Sequence, residues 1–187
     1  MKTYQIEISG VSPVIWNRMK KELVDEVKKL KKDQLAEWEE TNWKRKAEID
    51  DKKNLVIPPE WIKGSLVDAC KKTRIVPHFA TSKQQTYTSY MLSSLITVMA
   101  SVGKEKELEY YGAFVGARGK NSSTKTWRVR PLLKEWKTTF EMKDPDGRMT
   151  KEELKTLVEH AGLMIGIGDN RVNNFGRFEV VSIKEAN

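Results

Sequence analysis

Cysteine and histidine are scarce in this sequence, which has one cysteine and two histidines among 187 residues. The lone Cys70 cannot form an internal disulfide, and so few cysteines and histidines give no zinc-like ligand spacing. We therefore expect no metal site and no cofactor. The sequence lacks any run of about 18 apolar residues, so we expect no membrane-spanning helix. Its first ten residues alternate polar and apolar side chains, unlike a secretion signal, which favours a cytoplasmic protein.

Acidic residues are scarce in the middle third of the chain. The net charge is +8, and residues 63–130 carry twelve Lys and Arg against four Asp and Glu. The rest of the chain carries 22 basic and 22 acidic residues, so the whole excess lies in the middle. A localised basic excess is the electrostatic signature of a polyanion partner. A basic surface that serves only solubility is the alternative interpretation.

The spacing of apolar residues predicts the secondary structure. The predicted elements are a strand at 3–9, charged helices within 20–53, a short strand at 54–57, a helix at 59–73, a loop at 77–89, a hairpin at 111–118 and 124–130, and strands at 136–143 and 177–183. Residues 90–99 fit either a strand or a short helix, and Leu95, Ile96 and Val98 favour the strand. A capping box of Thr150 with Glu153 begins another helix, for which Gly162 is the expected left-handed C-cap. Cys70 falls on the apolar face of the 59–73 helix, which favours a buried side chain over a nucleophile.

This order of elements predicts an α+β fold. Residues 18–53 are highly charged and carry only a narrow apolar stripe, which indicates a helical insertion. Without the insertion the order is βαββαβ, the ferredoxin-like or RRM-like arrangement, extended by the long β-hairpin. We predict a single domain over 1–187, with the remainder of the core at 54–183. Its sheet would carry helices on one face and leave the other face free for a ligand.

The predicted hairpin combines aromatic and basic residues. Its second arm alternates Trp127 and Val129 with Arg128 and Arg130, which gives one apolar face and one basic ladder. Tyrosines in or beside the basic region, Tyr87 among them, have the ring faces on which bases stack, while Lys and Arg neutralise phosphates. This combination indicates a protein that binds a single strand of nucleic acid.

A glycine-rich loop covers residues 166–176. Its pattern Gly166-x-Gly168-x-x-Arg171 follows a helix, unlike a dinucleotide fingerprint, and it lacks the Lys-Ser/Thr ending of a P-loop. Glycines permit close backbone approach, with exposed N–H groups and Arg171 facing a phosphate. The nearby Asp169 opposes an anion, so a purely structural loop is the alternative.

Two segments resemble the RAMP superfamily. Ile57-Pro-Pro-Glu-Trp-Ile-Lys-Gly64 resembles its proline, Lys-Gly and helix element. The segment from Gly162 to Phe178, with paired glycines before Phe-Gly-Arg-Phe, resembles its C-terminal glycine-rich loop. The stretch from Arg130-Pro131 to Trp136 is also similar to uncharacterised small phage proteins. The resemblance covers residues 1–10 and 54–183 and leaves the insertion outside it.

The resemblance implies an RRM-like core that binds RNA or single-stranded DNA by backbone contacts, with subunits adding head to tail along the strand. It implies roles for Lys63, Gly64, Arg171 and Arg177, and it makes the hairpin the arm that crosses the nucleic acid. With the basic residues and the glycine loop added, the predicted binding set is Lys63, Gly64, Lys71, Lys72, Arg74, Lys83, Tyr87, Arg118, Lys120, Lys125, Arg128, Arg130, Gly166, Gly168, Arg171 and Arg177.

We therefore expect a largely non-sequence-specific binding protein, not an enzyme, that forms homo-oligomers on the strand in phage replication, recombination or a CRISPR-like assembly. One alternative is a metal-independent RNA endonuclease of the RAMP type with His78 as general base. RAMP endonucleases usually employ a histidine near the first helix, and nothing in this sequence fixes one there. The other alternative is a structural or assembly protein whose basic face meets an acidic partner.

Overall fold

A computed structural model describes residues 1–73, 77, 87–116 and 125–186. The α-helices in these ranges are α1 (Lys21–Lys28), α2 (Leu35–Asn42), α3 (Pro59–Thr73), α4 (Tyr87–Ser93) and α5 (Lys151–His160). The strands are β1 (Lys2–Gly10), β2 (Val14–Ile15), β3 (Asn54–Leu55), β4 (Leu95–Val98), β5 (Gly103–Lys104), β6 (Glu109–Gly116), β7 (Lys125–Leu133), β8 (Lys137–Asp144) and β9 (Phe178–Ala186). None of the helices in these ranges is long and apolar enough to cross a membrane.

The fold is mixed α and β, and its main sheet has four antiparallel strands in the order β4-β8-β1-β9. Ile6 of β1 lies between Phe140 of β8 and Ile183 of β9, and all three side chains are buried. Because successive strand residues point to opposite faces, this register places one apolar face on the core. Helices α3 and α5 cover that face with Leu66 and Leu154 in the same hydrophobic cluster.

A second sheet joins β2, β7 and β6 in that order. The hairpin that the sequence predicts is confirmed, with Tyr111 opposite Arg130 and Phe114 opposite Trp127. Strand β7 continues through Pro131 to Leu133, where β2 pairs with it. The residues at the hairpin tip, 117–124, lie outside the described residues, and so do the predicted binding residues Arg118 and Lys120.

The charged segment at 18–53 folds as the two short helices α1 and α2 followed by a 3₁₀ turn at Trp43–Lys46. Glu39 and Lys46 are fully buried and form an ion pair with each other. The Val129 N–H donates to Glu39 Oε2 at 2.9 Å, and Lys46 Nζ donates to the Val129 carbonyl at 2.8 Å. The ion pair therefore fills the place of a neighbouring strand on the free edge of β7, beyond the point where β2 ends.

The predicted strand at 90–99 is wrong in its first half, where α4 extends to Ser93 and only Leu95–Val98 is a strand. Tyr87, Tyr90 and Met91 fall at i, i+3 and i+4, and all three are buried, which is helical spacing. The apolar run that follows them obscured this pattern in the sequence.

The capped helix is confirmed, because the Thr150 hydroxyl accepts from the Glu153 N–H and the Glu153 carboxylate accepts from the Thr150 N–H. Its predicted left-handed end at Gly162 is wrong. The chain continues through a π-helical turn to Ile165, and the left-handed residue is Gly166, with φ of 76°. Gly162 is required for a different reason, since a Cβ there would lie 2.0 Å from the Phe178 carbonyl oxygen.

Replacing Glu39 with Ala should lower the free energy of unfolding by about 3–5 kcal/mol, because it leaves the Lys46 ammonium buried and unpaired. The substitution also removes the acceptor of the Val129 N–H. Urea unfolding measures the change. Glu40→Ala, at the exposed neighbouring position of α2, is the matched control and should change stability by less than about 0.5 kcal/mol. Equal effects of the two substitutions would contradict the role given to Glu39.

The same pair makes stability depend on pH in the acid range. Burial alone would raise the pKa of Glu39, but hydrogen bonds from Lys46, Val129 and Arg128 hold that pKa below its usual value. The ionised Glu39 carboxylate therefore contributes to the free energy of unfolding at pH values above the pKa of an unfolded carboxyl group, about 4.3. This contribution is lost as the pH falls through the pKa of Glu39 in the folded protein. Unfolding free energies measured between pH 6 and pH 3 should fall more steeply for the wild type than for Glu39→Gln. Parallel curves would contradict this assignment.

Candidate functional site

The open face of the main sheet is polar and balanced in charge. Strand β1 places Thr3, Gln5, Glu7 and Ser9 there, and β8 adds Lys137, Thr139, Glu141 and Lys143. Lys137 pairs with Glu7 at 2.7 Å, and Lys143 lies 3.6 Å from Glu141. These central strands present no aromatic ring and no excess of positive charge on this face. The face that the fold leaves open therefore lacks the chemistry for stacking bases or binding phosphates.

The two sequence motifs at 57–64 and 162–178 meet in space. Trp61, Gly64 and Asp68 fall at i, i+3 and i+7 of α3 and so share one face of that helix. A Cβ on Gly168 would lie 3.3 Å from the Trp61 ring, and Arg171 Nη1 lies 3.5 Å from Asp68 Oδ2. This face of α3 therefore borders the glycine-rich loop, and we name the space between them the α3–loop cleft.

Packing within the described residues gives no reason for glycine at position 64. A Cβ built on Gly64 meets none of their atoms within 4 Å, whereas glycine inside a helix costs about 0.5–1 kcal/mol relative to alanine. The residue therefore leaves open space on the side of α3 that borders the loop. Close approach of another molecule is one physical use for a glycine in a helix interior.

Positive charge gathers in the α3–loop cleft. A cavity of about 310 Å³ is lined by Asp68, Lys72, Met164, Ile165, Arg171, Val172 and Arg177. Among these described residues, three cations face one carboxylate. Arg177 Nη2 lies 3.2 Å from Asn174 Oδ1, while its Nη1 is buried without a hydrogen-bond partner in the described structure. Burial, and then the neighbouring Arg171, lower the pKa of Arg177, so an anion bound here would relieve an unfavourable electrostatic environment.

The backbone of the glycine-rich loop is used mainly within the chain. The N–H groups of Gly166, Ile167, Asp169 and Gly176 donate to the carbonyls of Ala161, Gly176, Ile15 and Pro13 at 2.8–2.9 Å. These four amides are not available to a phosphate, in contrast to the exposed amides that the sequence predicts. Gly176, with φ of 69°, is required by close packing, since its Cβ would lie 1.8 Å from the Ile167 carbonyl oxygen. The side chains of Arg171 and Arg177 are therefore the charged donors of this loop that could contact an anion.

The predicted basic ladder of the hairpin is neutralised inside the protein. Arg128 Nη1 lies 2.6 Å from the buried Glu39, and Arg130 Nε lies 2.6 Å from Asp169. Arg130 is itself buried. Lys125, at the start of β7, is exposed. Replacing Arg128 would therefore disturb the fold as well as any ligand contact.

The other predicted binding residues lie in different surroundings. Lys63 donates to the Ser94 carbonyl at 3.0 Å, and the exposed Lys71 lies 3.9 Å from Asp68. Tyr87 is fully buried in α4 and presents no ring face for stacking in this conformation. The remaining predicted residues, Arg74, Lys83 and the candidate base His78, lie outside the described residues.

Cys70 is buried in α3, as the sequence predicts, and burial raises the pKa of its thiol to about 12. A thiol with this pKa is protonated at neutral pH, which does not suit a nucleophile. Among the described residues, no three His, Cys, Asp or Glu side chains lie close enough together to hold a metal ion.

Trp61 and Asp68 belong to the cleft but were missed in the sequence. Their spacing around Gly64 is visible in the sequence, yet the same spacing is typical of any helix face. Only the contact with residues 168–171 identifies them as part of the site.

Alanine at Gly64 should raise the free energy of unfolding by about 0.5–1 kcal/mol, because it improves helix propensity and fits the open space beside α3. The matched substitution Gly176→Ala should lower it by about 1–3 kcal/mol, because φ is positive and the Cβ collides with a carbonyl. Urea denaturation of both variants measures the difference. A destabilised Gly64→Ala protein would mean that the space beside Gly64 is already occupied.

No protein-family model and no curated protein sequence matches this chain. Among solved structures, the chain is similar to one in the cryo-EM structure of the Type III-B Cmr-beta bound to cognate target RNA. The superposition has a TM-score of 0.56 with 11% sequence identity and covers 98% of this chain. The present chain spans 60% of the length of that chain. At this identity the similarity establishes a shared fold.

Proposed function

We propose that this chain binds single-stranded nucleic acid through the sugar-phosphate backbone, which lies in the α3–loop cleft. The observation that carries the proposal is the convergence of Lys72, Arg171 and Arg177 on one cavity beside the open space at Gly64. Two arginines and one lysine against one carboxylate leave a net positive charge that attracts a phosphodiester, and Arg presents several donors to its oxygens. The single carboxylate, Asp68, contacts Arg171 across the cleft and orients it while the site is empty.

The arrangement of the sheet supports a RAMP-like, ferredoxin-like core. In this proposal strands β1, β4, β8 and β9 correspond to the four strands of βαββαβ, and α3 and α5 correspond to its two helices. The similarity in fold to a chain of the RNA-bound Cmr-beta structure supports the same inference. In this arrangement the ligand lies at the helix and loop side of the core, because the open sheet face has neither aromatic rings nor net positive charge.

Contacts to phosphate and sugar carry no direct sequence information, so the proposed binding is largely independent of sequence. The roles of the arginines are to bind and to position a strand, and the proposal includes no chemical step. We also propose that several copies of the chain assemble along one strand and so form the homo-oligomer expected from the sequence.

Replacing Arg171 and Arg177 with Gln should weaken binding to labelled single-stranded RNA and DNA by about 10- to 100-fold, because two guanidinium groups no longer donate charge-assisted hydrogen bonds. The dependence of log Kd on log salt should become shallower by about 0.7 for each phosphate that is no longer neutralised. Fluorescence anisotropy across a salt series measures both quantities. Lys151→Gln with Lys155→Gln, at exposed positions of α5, removes the same charge elsewhere and should leave the affinity within about twofold.

Gly64→Leu provides a test that does not change charge. Leucine has high helix propensity, so the variant should fold, while its side chain fills the space reserved for the strand. Its affinity for single strands should fall at least as far as that of the arginine variant. Full affinity in both variants would contradict the cleft as the binding site.

Metal-free cleavage of RNA that disappears in His78→Ala would instead favour the endonuclease, and oligomers that form without nucleic acid would favour the assembly protein.

A further inference from the structure

The face of the hairpin that points away from the glycine-rich loop is aromatic. Tyr110, Gly112 and Phe114 alternate along β6 and share one face, and Trp127 lies opposite Phe114 on the same face. The other face contacts the loop, because Tyr111 packs edge-on against Phe175 at 5.1 Å and Arg130 pairs with Asp169. The two faces of the hairpin are therefore directed to different surroundings.

The aromatic rings on this face form one continuous row. The Phe114 and Trp127 ring centroids are 4.9 Å apart, and those of Tyr110 and Trp43 are 6.0 Å apart. The two pairs approach each other at Gly112, because a Cβ there would lie 2.5 Å from the Trp127 ring and 3.0 Å from the Tyr110 ring. A side chain at this position would push the rings apart. We name Trp43, Tyr110, Phe114 and Trp127 the aromatic strip.

The aromatic strip is most exposed at Phe114 and Tyr110. The exposed fraction is 67% for Phe114 and 48% for Tyr110, while Trp43 and Trp127 are half-buried. Exposed aromatic side chains that lie side by side are typical of a binding surface.

A cluster of lysines lies at the Trp43 end of the aromatic strip. A cavity of about 480 Å³ is lined by Lys44, Lys53, Lys104, Lys106 and Glu105. Lys44 follows Trp43 directly, and its ammonium lies 5.4 Å from that ring. Four lysines against one glutamate give this cavity, which we name the lysine pocket, a strong preference for an anion.

We propose that the aromatic strip and the lysine pocket form a second contact for the same single strand, with bases stacked on the rings and a phosphate in the pocket. This inference rests on the proposed function and adds a surface on the opposite side of the hairpin from the loop. Stacked bases with neighbouring phosphates match this combination of flat rings and lysines, whereas an apolar protein partner would leave the lysines unpaired. Bases in a duplex already stack on each other, so the strip favours a single strand.

Binding to the aromatic strip makes the affinity for a strand depend on its bases, whereas binding in the α3–loop cleft depends only on its sugar-phosphate backbone. The test compares a fluorescein-labelled oligo-dT with an abasic oligonucleotide of the same length and charge. The wild type should bind oligo-dT at least about fivefold more tightly than the abasic strand, since stacking contributes about 1–3 kcal/mol per base. Tyr110→Ala with Phe114→Ala should remove this preference and leave the abasic affinity unchanged. Leu95→Ala, at an exposed position of β4, is the control and should keep the preference.

The lysine pocket is tested with Lys44→Gln and Lys106→Gln together. This variant should keep the preference for bases but show a salt dependence shallower by about 0.7, because one phosphate fewer is neutralised. Unchanged salt dependence would overturn the role of the pocket.

The outcomes separate this inference from the proposed function. Equal wild-type affinity for oligo-dT and the abasic strand would overturn the aromatic strip and leave the cleft in place. An unchanged preference in the tyrosine and phenylalanine variant would do the same. If that variant instead altered the sedimentation of the free protein, the strip would be a contact between copies of the chain. Failure of the wild type to bind either strand at low salt would overturn both proposals.

Discussion

The buried ion pair between Glu39 and Lys46 fixes the end of α2 and the turn after it to the edge of the hairpin sheet. A strand edge exposes N–H and carbonyl groups that must be satisfied, and β2 is too short to cover all of β7. At Val129 a carboxylate and an ammonium take over both hydrogen bonds. The pair is costly to desolvate, but it is held by further hydrogen bonds, and these conditions make removal of either partner strongly destabilising. The position of α2 therefore depends on two buried charged side chains as well as on buried apolar residues such as Trp38 and Ala47.

Several surface features follow from this attachment. Trp43 lies just before Lys46, so fixing Lys46 also places Trp43 against Tyr110 and completes the aromatic strip. The lysine pocket forms where the insertion meets β5 and the turn that follows it. The charged segment at 18–53 thus contributes one of the four rings and two of the four lysines of this surface.

The positions of basic residues in the sequence do not show which of them are paired with carboxylates in the fold. The middle third of the chain holds the whole positive excess, yet Arg128 and Arg130 are paired with Glu39 and Asp169 from distant parts of the sequence. Lys72, Arg171 and Arg177 line the cleft and four lysines line the pocket, whereas the cavity beside Arg128 and Arg130 is also lined by Asp169. In the proposed binding mode a strand contacts both sides of the hairpin, with its backbone in the cleft and its bases on the strip.

The secondary-structure elements that depend on neighbouring residues could be predicted from the sequence. The alternation at 3–9, the arms of the hairpin and the Thr150–Glu153 capping box depend on neighbouring residues, and the structure confirms them. The extent of α4 was missed because the apolar run after it obscured the helical spacing. The reason for Gly162 was not predicted, because it depends on contact with Phe178 in another element. The sequence also identified Gly64 and Arg171 as candidates without showing that they share a cleft. That Gly64 and Arg171 share a cleft is visible only in the tertiary structure. The pairing of Arg128 in the predicted basic ladder with Glu39 is also visible only there, because an ion pair between residues about 90 positions apart leaves no periodic pattern in the chain.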